Sequence, residues 1–318
     1  MPSTGEARLK LLVVAGATAV GKTDLALELA QQFNGEIISA DSRQLYRRMD
    51  IGTSKPTRDQ RAACPHHLID IADPDETISA GQMRRLIADA HAEVASRGRL
   101  PMLVGGTGQY ITAYLEGWTM PEVPPQPALR AEMEAALREK GLASLIERLL
   151  MLDPEAQSVV DLRNPRRVMR ALEVSIVSQQ PFSAQRRKHP PALDVFAVML
   201  DGARERLFER ADRRFDRMME LGFLDEVRGL LEAGYRRDLP SMSGIGYAQL
   251  IAHLLDGVPL DQAVAAGKRA THAYIRRQLT WFRKYMRAFL WHNLSDREAR
   301  ESLIARIQAW LRGSAGDE

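Results

Sequence analysis

Apolar residues in the first third of the chain follow two patterns, short continuous runs and longer stretches with helical spacing. The continuous runs predict strands that are buried on both faces of a parallel sheet, at 11–15, 37–40 and 101–104. Helical spacing predicts helices between these strands, at 23–33 and 81–97. Strand, helix, strand, helix, strand in this order predicts a doubly wound α/β core.

The pattern changes at 121–127, where four of seven residues are proline. Leucines at helical spacing follow, and no strand signal returns until 195–200, which we expect to rejoin the sheet. The remainder is typical of helices separated by short glycine-containing breaks. These boundaries predict a core with C-terminal helices, residues 8–120 and 194–312, and an all-helical insertion domain, residues 121–193.

Composition is that of an ordinary globular protein, with 45% of the 318 residues hydrophobic and 27% charged. The formal net charge of +3 is too small to indicate nucleic-acid binding by itself, so the distribution of charge has to decide. Cys64 is the single cysteine, and the apolar run at 11–15 is far shorter than a signal-peptide core or a membrane span. We therefore expect a cytoplasmic protein.

Cys64-Pro65-His66-His67 does not favour a metal site, because it offers three candidate ligands of which two are adjacent.

A phosphate-binding P-loop, G-x-x-x-x-G-K-[ST], joins the first strand to the first helix. Its residues are Gly16, Ala17, Thr18, Ala19, Val20, Gly21, Lys22 and Thr23. The backbone N–H groups of such a loop point at phosphate oxygens, and the helix N-terminus adds its partial positive charge. Lys22 and a Mg²⁺ ion held by Thr23 are expected to neutralise the remaining charge. The motif, in this context, predicts a P-loop NTPase-like core.

P-loops usually hold a nucleoside triphosphate, and such enzymes need an acid on a neighbouring strand. The strand at 101–104 ends in glycines instead, whereas the strand at 37–40 ends at Asp41, on the carboxyl edge of the predicted sheet. Asp41 there suits a group that acts on a second substrate, although a helix N-cap or a loop ligand for Mg²⁺ is an alternative. Gly105-Gly106-Thr107-Gly108 directs the Thr107 hydroxyl at the site or forms a plain tight turn.

The segment 267–287 is basic throughout and contains no acid. Its basic residues are Lys268, Arg269, Arg276, Arg277, Arg283, Lys284 and Arg287. On a helix, Tyr274, Trp281 and Tyr285 form a stripe beside the arginines. An unpaired basic face beside aromatic side chains favours RNA binding, and the alternative is a surface helix with an aromatic core stripe. Other basic clusters, in the insertion and on the helix after it, are consistent with solvated faces.

Taken together, these residues resemble the tRNA dimethylallyltransferase family over nearly the whole chain. The most distinctive stretch is Asp41-Ser42-Arg43-Gln44-Leu45-Tyr46-Arg47-Arg48-Met49-Asp50-Ile51-Gly52-Thr53-Ser54-Lys55-Pro56. Further matches follow in family order: His66-His67-Leu68-Ile69-Asp70, Val104-Gly105-Gly106-Thr107-Gly108, Asn164-Pro165-Arg166-Arg167-Val168, Gly244-Ile245-Gly246-Tyr247 and Arg277-Gln278-Leu279-Thr280-Trp281-Phe282-Arg283.

The resemblance implies transfer of the dimethylallyl group of dimethylallyl pyrophosphate to the exocyclic amino nitrogen of the adenosine just 3′ of the tRNA anticodon, with release of pyrophosphate. It implies three catalytic residues: Asp41 as general base, Thr107 placing the adenine, and Arg214 on the pyrophosphate. The implied pyrophosphate ligands are Gly16, Thr18, Ala19, Val20, Gly21, Lys22, Thr23 and Arg214. The implied tRNA contacts are Asp41, Ser42, Arg43, Gln44, Thr107, Pro165, Arg166, Arg167, Val168, Met169, Tyr247, Arg277, Gln278, Trp281 and Arg283.

The target base has to leave its stack to react, so we expect it to be flipped between the core and the insertion of a monomer that binds the tRNA anticodon stem-loop. The sequence departs from the family pattern at a few positions. Ala17 replaces the usual proline, Gln109 an apolar residue, and Ser178-Gln179 the common Thr-Gly. His272 stands where arginine is frequent, so one expected positive charge is absent unless the imidazole is protonated.

Three other functions fit part of these observations. A P-loop kinase for a small nucleoside-like substrate would turn over ATP, but the segments 41–56 and 267–287 argue against it. An RNA-binding nucleotide switch would need a base-recognition motif of the G-protein kind, which we do not find. A prenyltransferase for free adenine nucleotides would use the same core, and the insertion and basic surface favour a large RNA acceptor instead.

Overall fold

The structure is a computed structural model, and it describes residues 8–119, 121, 123–287, 289–293 and 297–313. The chain divides into two compact units. The first contains the described residues up to Thr112 and those from Ala192 onwards, and the second is Ala113–Pro191. No helix in the described part of the chain is long and apolar enough to cross a membrane.

Among the described residues, six strands form one parallel sheet in the first unit. They are β1 (Leu9–Gly16), β2 (Gly35–Ser39), β3 (His66–His67), β4 (Leu100–Gly105), β5 (Leu193–Leu200) and β6 (Leu290–His292). Their spatial order is β3-β2-β4-β1-β5-β6, and every neighbouring pair is parallel. The sequence prediction of a doubly wound parallel sheet is confirmed. β3 and β6 were not predicted, because two or three residues are too few to produce a periodic signal.

Residues 11–15 of β1 are fully buried, as expected for a continuous apolar run in a central parallel strand. The helices of the N-terminal part are α1 (Lys22–Phe33), α2 (Arg58–Ala63), α3 (Ala80–Ser96) and α4 (Gly108–Leu115). Leu25 and Leu29 of α1 are buried, and Asn34 ends this helix in the left-handed conformation. Helices α2 and α4 were not predicted from the sequence.

The second unit is helical, as predicted for the insertion. It contains α5 (Pro127–Leu152), which is broken by a kink at Gly141, α6 (Ala156–Val159), α7 (Pro165–Ser178) and a 3₁₀ turn at Ser183–Gln185. Its core includes Met133, Leu145 and Leu149 of α5 and Val168 and Leu172 of α7. The proline-rich stretch 121–127 therefore lies inside this unit, before its first long helix.

Glu173 is a fully buried carboxylate in the core of the second unit. It accepts hydrogen bonds from Arg130 at 2.7 and 2.9 Å, from Arg170 at 2.6 Å, and from the Gln126 N–H at 2.8 Å. Burial alone would raise the pKa of Glu173, but these bonds outweigh it and lower the pKa to about 2. Arg170 is thus a structural partner of Glu173 and not part of a free basic surface.

After β5 the chain continues through helices with one short strand. They are α8 (Arg204–Glu220), α9 (Phe223–Glu232), α10 (Tyr247–Asp256), α11 (Leu260–Tyr285) and α12 (Arg297–Leu311). α8 and α11 pack together: Lys268 of α11 forms an ion pair with Asp216 of α8 at 2.6 Å. His272 of α11 bonds Asp212 at 2.8 Å and stacks on Phe208, with ring centroids 4.1 Å apart. The helical C-terminal part of the fold prediction is confirmed.

Candidate active site

The P-loop connects β1 to α1, as the motif predicted. Gly21 has φ of 102°, a conformation that strains a residue with a side chain, and it precedes Lys22 and Thr23 in the first turn of α1. Nζ of Lys22 donates a hydrogen bond to the Ala17 carbonyl at 2.8 Å, so the ammonium group lies over the loop. Thr23 is exposed, and its hydroxyl has no hydrogen-bond partner among the described residues.

Two cations and one carboxylate lie close enough to affect one another at this loop. Burial and the positive charge of Arg214 lower the pKa of Lys22 to about 8, although Asp41 opposes the shift. Burial likewise lowers the pKa of Arg214, again opposed by Asp41. Arg214 has no hydrogen bond or ion pair with any described residue. A partly buried guanidinium without a partner, next to a phosphate-binding loop, suits an anionic ligand.

Asp41 follows the end of β2, where its position is fixed by its neighbours. Ala40 N–H donates to the Val104 carbonyl at 2.8 Å, which ties the segment to β4. Oδ1 of Asp41 accepts the backbone N–H groups of Arg43 at 2.8 Å and Gln44 at 3.3 Å. Asp41 thus caps a turn at residues 42–45, and the helix N-cap considered as an alternative is not present, because no helix begins there. Oδ2 has no hydrogen-bond partner among the described residues, so this oxygen is available to a substrate.

Tyr110 and Tyr274 lie near Asp41 and keep their protons. Burial, with the charge of Asp41 as a further cause, raises the pKa of each to about 12. Tyr274 also interacts with the Thr107 side chain. Asp41 is therefore near two neutral hydroxyl groups as well as the two cations.

The loop after β4 carries Thr107 into the same site. The Thr107 N–H donates to the Ala40 carbonyl at 3.1 Å, and Thr107 Oγ1 accepts the Ser42 N–H at 3.1 Å. A Cβ atom on Gly105 would lie 2.1 Å from the Ala40 carbonyl oxygen, and one on Gly108 would lie 2.3 Å from the Trp281 indole. The glycines are therefore required by close packing, which goes beyond the plain turn that the sequence left open.

Arg43 and Gln44, predicted to contact RNA, use their side chains within the protein. Arg43 donates to the carbonyls of Pro240 at 2.7 Å and Ser241 at 3.2 Å. Gln44 Nε2 donates to the Ser54 carbonyl at 3.0 Å. These contacts fix the loop that carries Asp41. The role of Ser42, Arg43 and Gln44 toward RNA stays a prediction.

α11 carries the predicted basic face. Among the described residues, no carboxylate lies within ion-pair distance of four of its side chains, Arg269, Arg276, Arg277 and Lys284, or of Arg287, which follows the helix. Arg283 is exposed and 3.9 Å from Asp201. Trp281 packs against Tyr285 with ring centroids 4.3 Å apart, and its buried Nε1 has no described hydrogen-bond acceptor. Exposed cations beside aromatic rings are therefore present on this helix.

Three predicted RNA contacts are placed differently by the structure. Tyr247 is 1% exposed, and its hydroxyl donates to Glu226 at 2.6 Å. Val168 is fully buried in the core of the second unit. Gln278 is 5% exposed, and both ends of its amide are bonded inside the first unit. The interpretation of these side chains as RNA contacts needs correction, because burial leaves them no surface to offer.

Residues 165–169 form the start of α7 in the second unit. Asn164 caps the helix by accepting the Arg167 N–H at 3.3 Å, and Pro165 occupies the first turn. Arg166 and Arg167 are exposed, and Arg167 lies 3.8 Å from Asp161. Met169 is partly buried against the core. The two arginines are thus the members of this motif that are available to a ligand.

Lys55 and Glu226 organise the site's surroundings and were not assigned a role from sequence. The Lys55 side chain is 2% exposed, and its Nζ bonds Asp50 and Asp70 at 2.6 Å each. Glu226 accepts the backbone N–H groups of Asp50, Ile51 and Gly52 at 2.8, 2.7 and 3.1 Å. Lys55 lies in the distinctive 41–56 stretch, which was a signal for it. No sequence pattern singled out Glu226.

A cavity of about 700 Å³ in the first unit has Arg214 in its wall. Five of its lining arginines are Arg47, Arg48, Arg58, Arg61 and Arg217, and its two acidic side chains, Asp50 and Asp70, are both paired with Lys55. Ile51, Met218 and Leu221 supply an apolar part. Met218 lies four residues after Arg214 on α8, so the two share a helix face. An anionic group and a short apolar chain could therefore be held side by side here.

Within the described residues, no cluster of three or more His, Cys, Asp or Glu side chains could hold a metal ion alone. The thiol of Cys64 is buried, His66 bonds the Cys64 carbonyl at 2.7 Å, and His67 bonds Glu36 at 2.7 Å. These three side chains therefore form structural contacts at the β3 edge of the sheet.

Comparison with known proteins gives a consistent picture. A family model described as IPP transferase matches residues 44–285. The chain is 50% identical over 276 residues to the tRNA dimethylallyltransferase of Roseiflexus sp. (strain RS-1). This match covers 87% of this chain and 90% of that protein. It is 46% identical over 282 residues to the tRNA dimethylallyltransferase of Chloroflexus aggregans, with 89% and 95% covered.

A solved structure, the full-length tRNA isopentenylpyrophosphate transferase of Bacillus halodurans, resembles the fold with a TM-score of 0.70. The two chains are 36% identical, and the match covers 97% of this chain and 98% of that one. The likeness thus extends over both units and is not limited to the P-loop core.

Proposed function

The chain belongs to the IPP transferase family, and we propose that it transfers the dimethylallyl group of dimethylallyl pyrophosphate to the exocyclic amino nitrogen of the adenosine 3′ of the tRNA anticodon. The observation that carries this proposal is the convergence of Asp41, Thr107, Lys22 and Arg214 at one edge of the sheet. A carboxylate with one unengaged oxygen lies near two cations, Lys22 of the phosphate loop and Arg214 of α8. That combination suits proton removal from one substrate and departure of an anion from the other.

Adenine's amino nitrogen is a poor nucleophile, because its lone pair is delocalised into the ring. As the new N–C bond forms, the nitrogen has to lose a proton, and Oδ2 of Asp41 would accept it. Its Oδ1 is held by the Arg43 and Gln44 N–H groups, so the carboxylate keeps its orientation while it reacts. Thr107, tied to both sides of Asp41, would place the adenine.

Pyrophosphate leaves as the C–O bond of the donor breaks, and negative charge grows on it. Lys22, Arg214 and the remaining P-loop N–H groups would stabilise that charge. The N–H groups of Thr18 and Val20, both predicted pyrophosphate ligands, are already bonded, to Gln278 at 2.9 Å and to the Ala17 carbonyl at 3.4 Å. Arg214 lines the cavity as well, so a dimethylallyl chain whose pyrophosphate binds Arg214 would lie against Ile51 and Met218. The P-loop therefore binds a leaving group and does not cleave it.

The residues also fit a Mg²⁺ ion. The Thr23 hydroxyl is exposed at the P-loop, and Mg²⁺ is usually held by one or two protein oxygens together with phosphate and water. When bound, the ion would neutralise part of the pyrophosphate charge.

Transfer RNA would be recognised by exposed cations on both units. Arg277 and Arg283 of α11 and Arg166 and Arg167 of α7 can contact phosphates, and Trp281 offers an aromatic surface. We assign part of the tRNA binding to the second unit on the strength of Arg166 and Arg167. RNA contact by these side chains predicts that binding weakens as salt concentration rises.

The test is incubation of the protein with unmodified tRNA, Mg²⁺ and labelled dimethylallyl pyrophosphate. Parallel reactions contain free AMP, ATP alone, or tRNA with guanosine in place of the target adenosine. Label in the adenosine-containing tRNA alone would support the proposal. Label in AMP would indicate an adenylate prenyltransferase, ATP turnover a kinase, and RNA binding without label a switch; each of these would overturn it.

A further inference from the structure

The side-chain amide of Gln278 joins two loops of the candidate site. Its Oε1 accepts the N–H of Thr18 in the P-loop at 2.9 Å, and its Nε2 donates to the Gly106 carbonyl at 2.9 Å. We propose that Gln278 is a positioning residue that sets the distance between the pyrophosphate loop and the loop of Thr107. This role rests on the proposed function, since it concerns the separation of the two substrates.

The topology explains why such a link matters. β1 and β4 are neighbours in the sheet, and the P-loop and the Gly105–Gly108 loop follow their carboxyl ends. Backbone hydrogen bonds of the sheet stop there, so the separation of the two loops depends on other contacts. Gln278 comes from α11, a helix of 26 residues that also packs on α8 and α10. A rigid element outside the sheet therefore fixes both loops.

Packing around Gly106 supports a specific fit. A Cβ atom on Gly106 would lie 2.6 Å from Nε2 of Gln278 and 3.7 Å from Nζ of Lys22. The glycine therefore allows the amide to approach the loop backbone. It also places the amide close to the ammonium group that is proposed to hold the leaving group.

The link continues to the proposed general base. Thr107, next to Gly106, bonds the backbone on both sides of Asp41. Hydrogen bonds thus join the P-loop to Gln278 and Gln278 to the Gly106–Thr107 loop, and Thr107 holds the backbone on either side of the base. Reacting atoms have to be held about 3–3.5 Å apart, and a displacement of about 1 Å can cost about 100-fold in rate.

Glutamine suits this position because one end of its amide accepts and the other donates a hydrogen bond. Methionine has nearly the same length and forms neither bond. Glutamate keeps the acceptor for Thr18, but it cannot donate to Gly106 when ionised and it adds a negative charge near Lys22. The two substitutions therefore separate loss of the link from introduction of a repulsive charge.

We would measure kcat, KM for both substrates, thermal stability and affinity for inorganic pyrophosphate in Gln278→Met and Gln278→Glu. Thr271→Val is the matched control, since Thr271 is also buried on α11 but its hydroxyl bonds only the Gly267 carbonyl of the same helix. Gln278→Met should lower kcat at least about tenfold with KM for tRNA within about twofold of wild type. Gln278→Met should also weaken pyrophosphate binding, because the P-loop loses its link, and Gln278→Glu should weaken it further through the added negative charge.

A kcat for Gln278→Met within twofold of the Thr271→Val control would overturn the proposal. A loss confined to KM for tRNA would overturn it as well, because it would return Gln278 to the role of an RNA contact. If the wild-type protein transfers no label, the proposed function fails by itself. In that case the pyrophosphate affinities still test whether Gln278 positions the P-loop. The proposal predicts weaker pyrophosphate binding in both Gln278 variants than in Thr271→Val.

Discussion

The hydroxyl of Thr107 accepts the backbone N–H of Ser42 at 3.1 Å, across 65 positions of sequence. The N–H of Thr107 donates to the Ala40 carbonyl, also at 3.1 Å. Asp41 lies between these two attachment points. Thr107, a single residue after β4, thus helps to fix the position of the proposed base relative to the sheet. It does so through the backbone of Ala40 and Ser42, and the Asp41 side chain itself forms no hydrogen bond with the Thr107 loop.

Thr107→Val should reduce transfer mainly through kcat. Valine keeps the shape of threonine but leaves the partly buried Ser42 N–H without its acceptor, at a cost of about 1–3 kcal/mol. We expect kcat to fall about tenfold to 100-fold. Thr107→Ser retains the hydroxyl and should stay within about threefold of wild type. Equal losses in both variants would contradict a role for the hydroxyl.

Asp41→Asn should lower kcat by about 100-fold or more, because the amide oxygen cannot accept a proton at neutral pH. The same oxygen can still accept the Arg43 and Gln44 N–H groups, so the loop should keep its conformation. Affinity for tRNA, measured by filter binding, should therefore remain within about twofold of wild type. A loss of tRNA binding with kcat preserved would instead identify Asp41 as an RNA contact.

Arg214→Gln should raise KM for dimethylallyl pyrophosphate more than KM for tRNA. A hydrogen bond to a charged group contributes about 1.5–3 kcal/mol, which corresponds to about tenfold to 100-fold in affinity. Arg213→Gln, at the exposed neighbouring position on α8, is the matched control and should change either constant by less than about threefold. Similar effects of the two substitutions would indicate a general loss of positive charge and not a pyrophosphate ligand.

Sequence patterns predicted the central elements because burial on both faces leaves a continuous apolar run, as in β1. They also identified the P-loop, which is local: its eight residues are contiguous and their backbone carries the function. Long-range packing was harder to predict. Tyr247 and Gln278 lie in family motifs, which made them candidates for RNA contact, but motif membership does not distinguish a buried partner from an exposed one.

Glu226 illustrates the other limit. Three consecutive N–H groups of the 50–52 segment converge on its carboxylate. The residues lie at least 174 positions apart in sequence, and a glutamate in an amphipathic helix has no local feature that marks it. Such a contact follows only from the packing of α9 against the loop.

Affinity for inorganic pyrophosphate should fall as pH rises through about 8. Burial and Arg214 lower the pKa of Lys22 to about 8, so the free protein loses this ammonium charge above that pH. Lys22→Arg keeps its charge throughout the range. Calorimetry from pH 6.5 to 9.5 at constant Mg²⁺ should show the wild-type affinity declining relative to the variant by up to about tenfold per pH unit above the pKa. Because the ratio of the two proteins cancels the ligand's own titration, a constant ratio would contradict the assignment.

Glu173→Gln should destabilise the protein by about 3 kcal/mol at neutral pH, because Arg130 and Arg170 lose a buried carboxylate partner. The pKa of Glu173 is lowered to about 2 in the folded state, from an ordinary value of 4.5. A lowered carboxylate pKa stabilises the fold above the unfolded-state value, and this contribution disappears as pH falls from about 4.5 toward 2. The difference in unfolding free energy between wild type and variant should therefore shrink over that interval.

The matched control for this prediction is Glu132→Gln in the same unit. Glu132 is paired with Arg148 at 2.7 Å, but its side chain is 60% exposed. Exposed pairs contribute about 1 kcal/mol or less, so this variant should unfold close to wild type at every pH. Thermal or urea unfolding of the full chain at pH 7 and pH 3 makes the comparison. Equal losses in the two variants at pH 7 would mean that burial does not distinguish Glu173, and its hydrogen bonds would then have to be weaker than their distances imply.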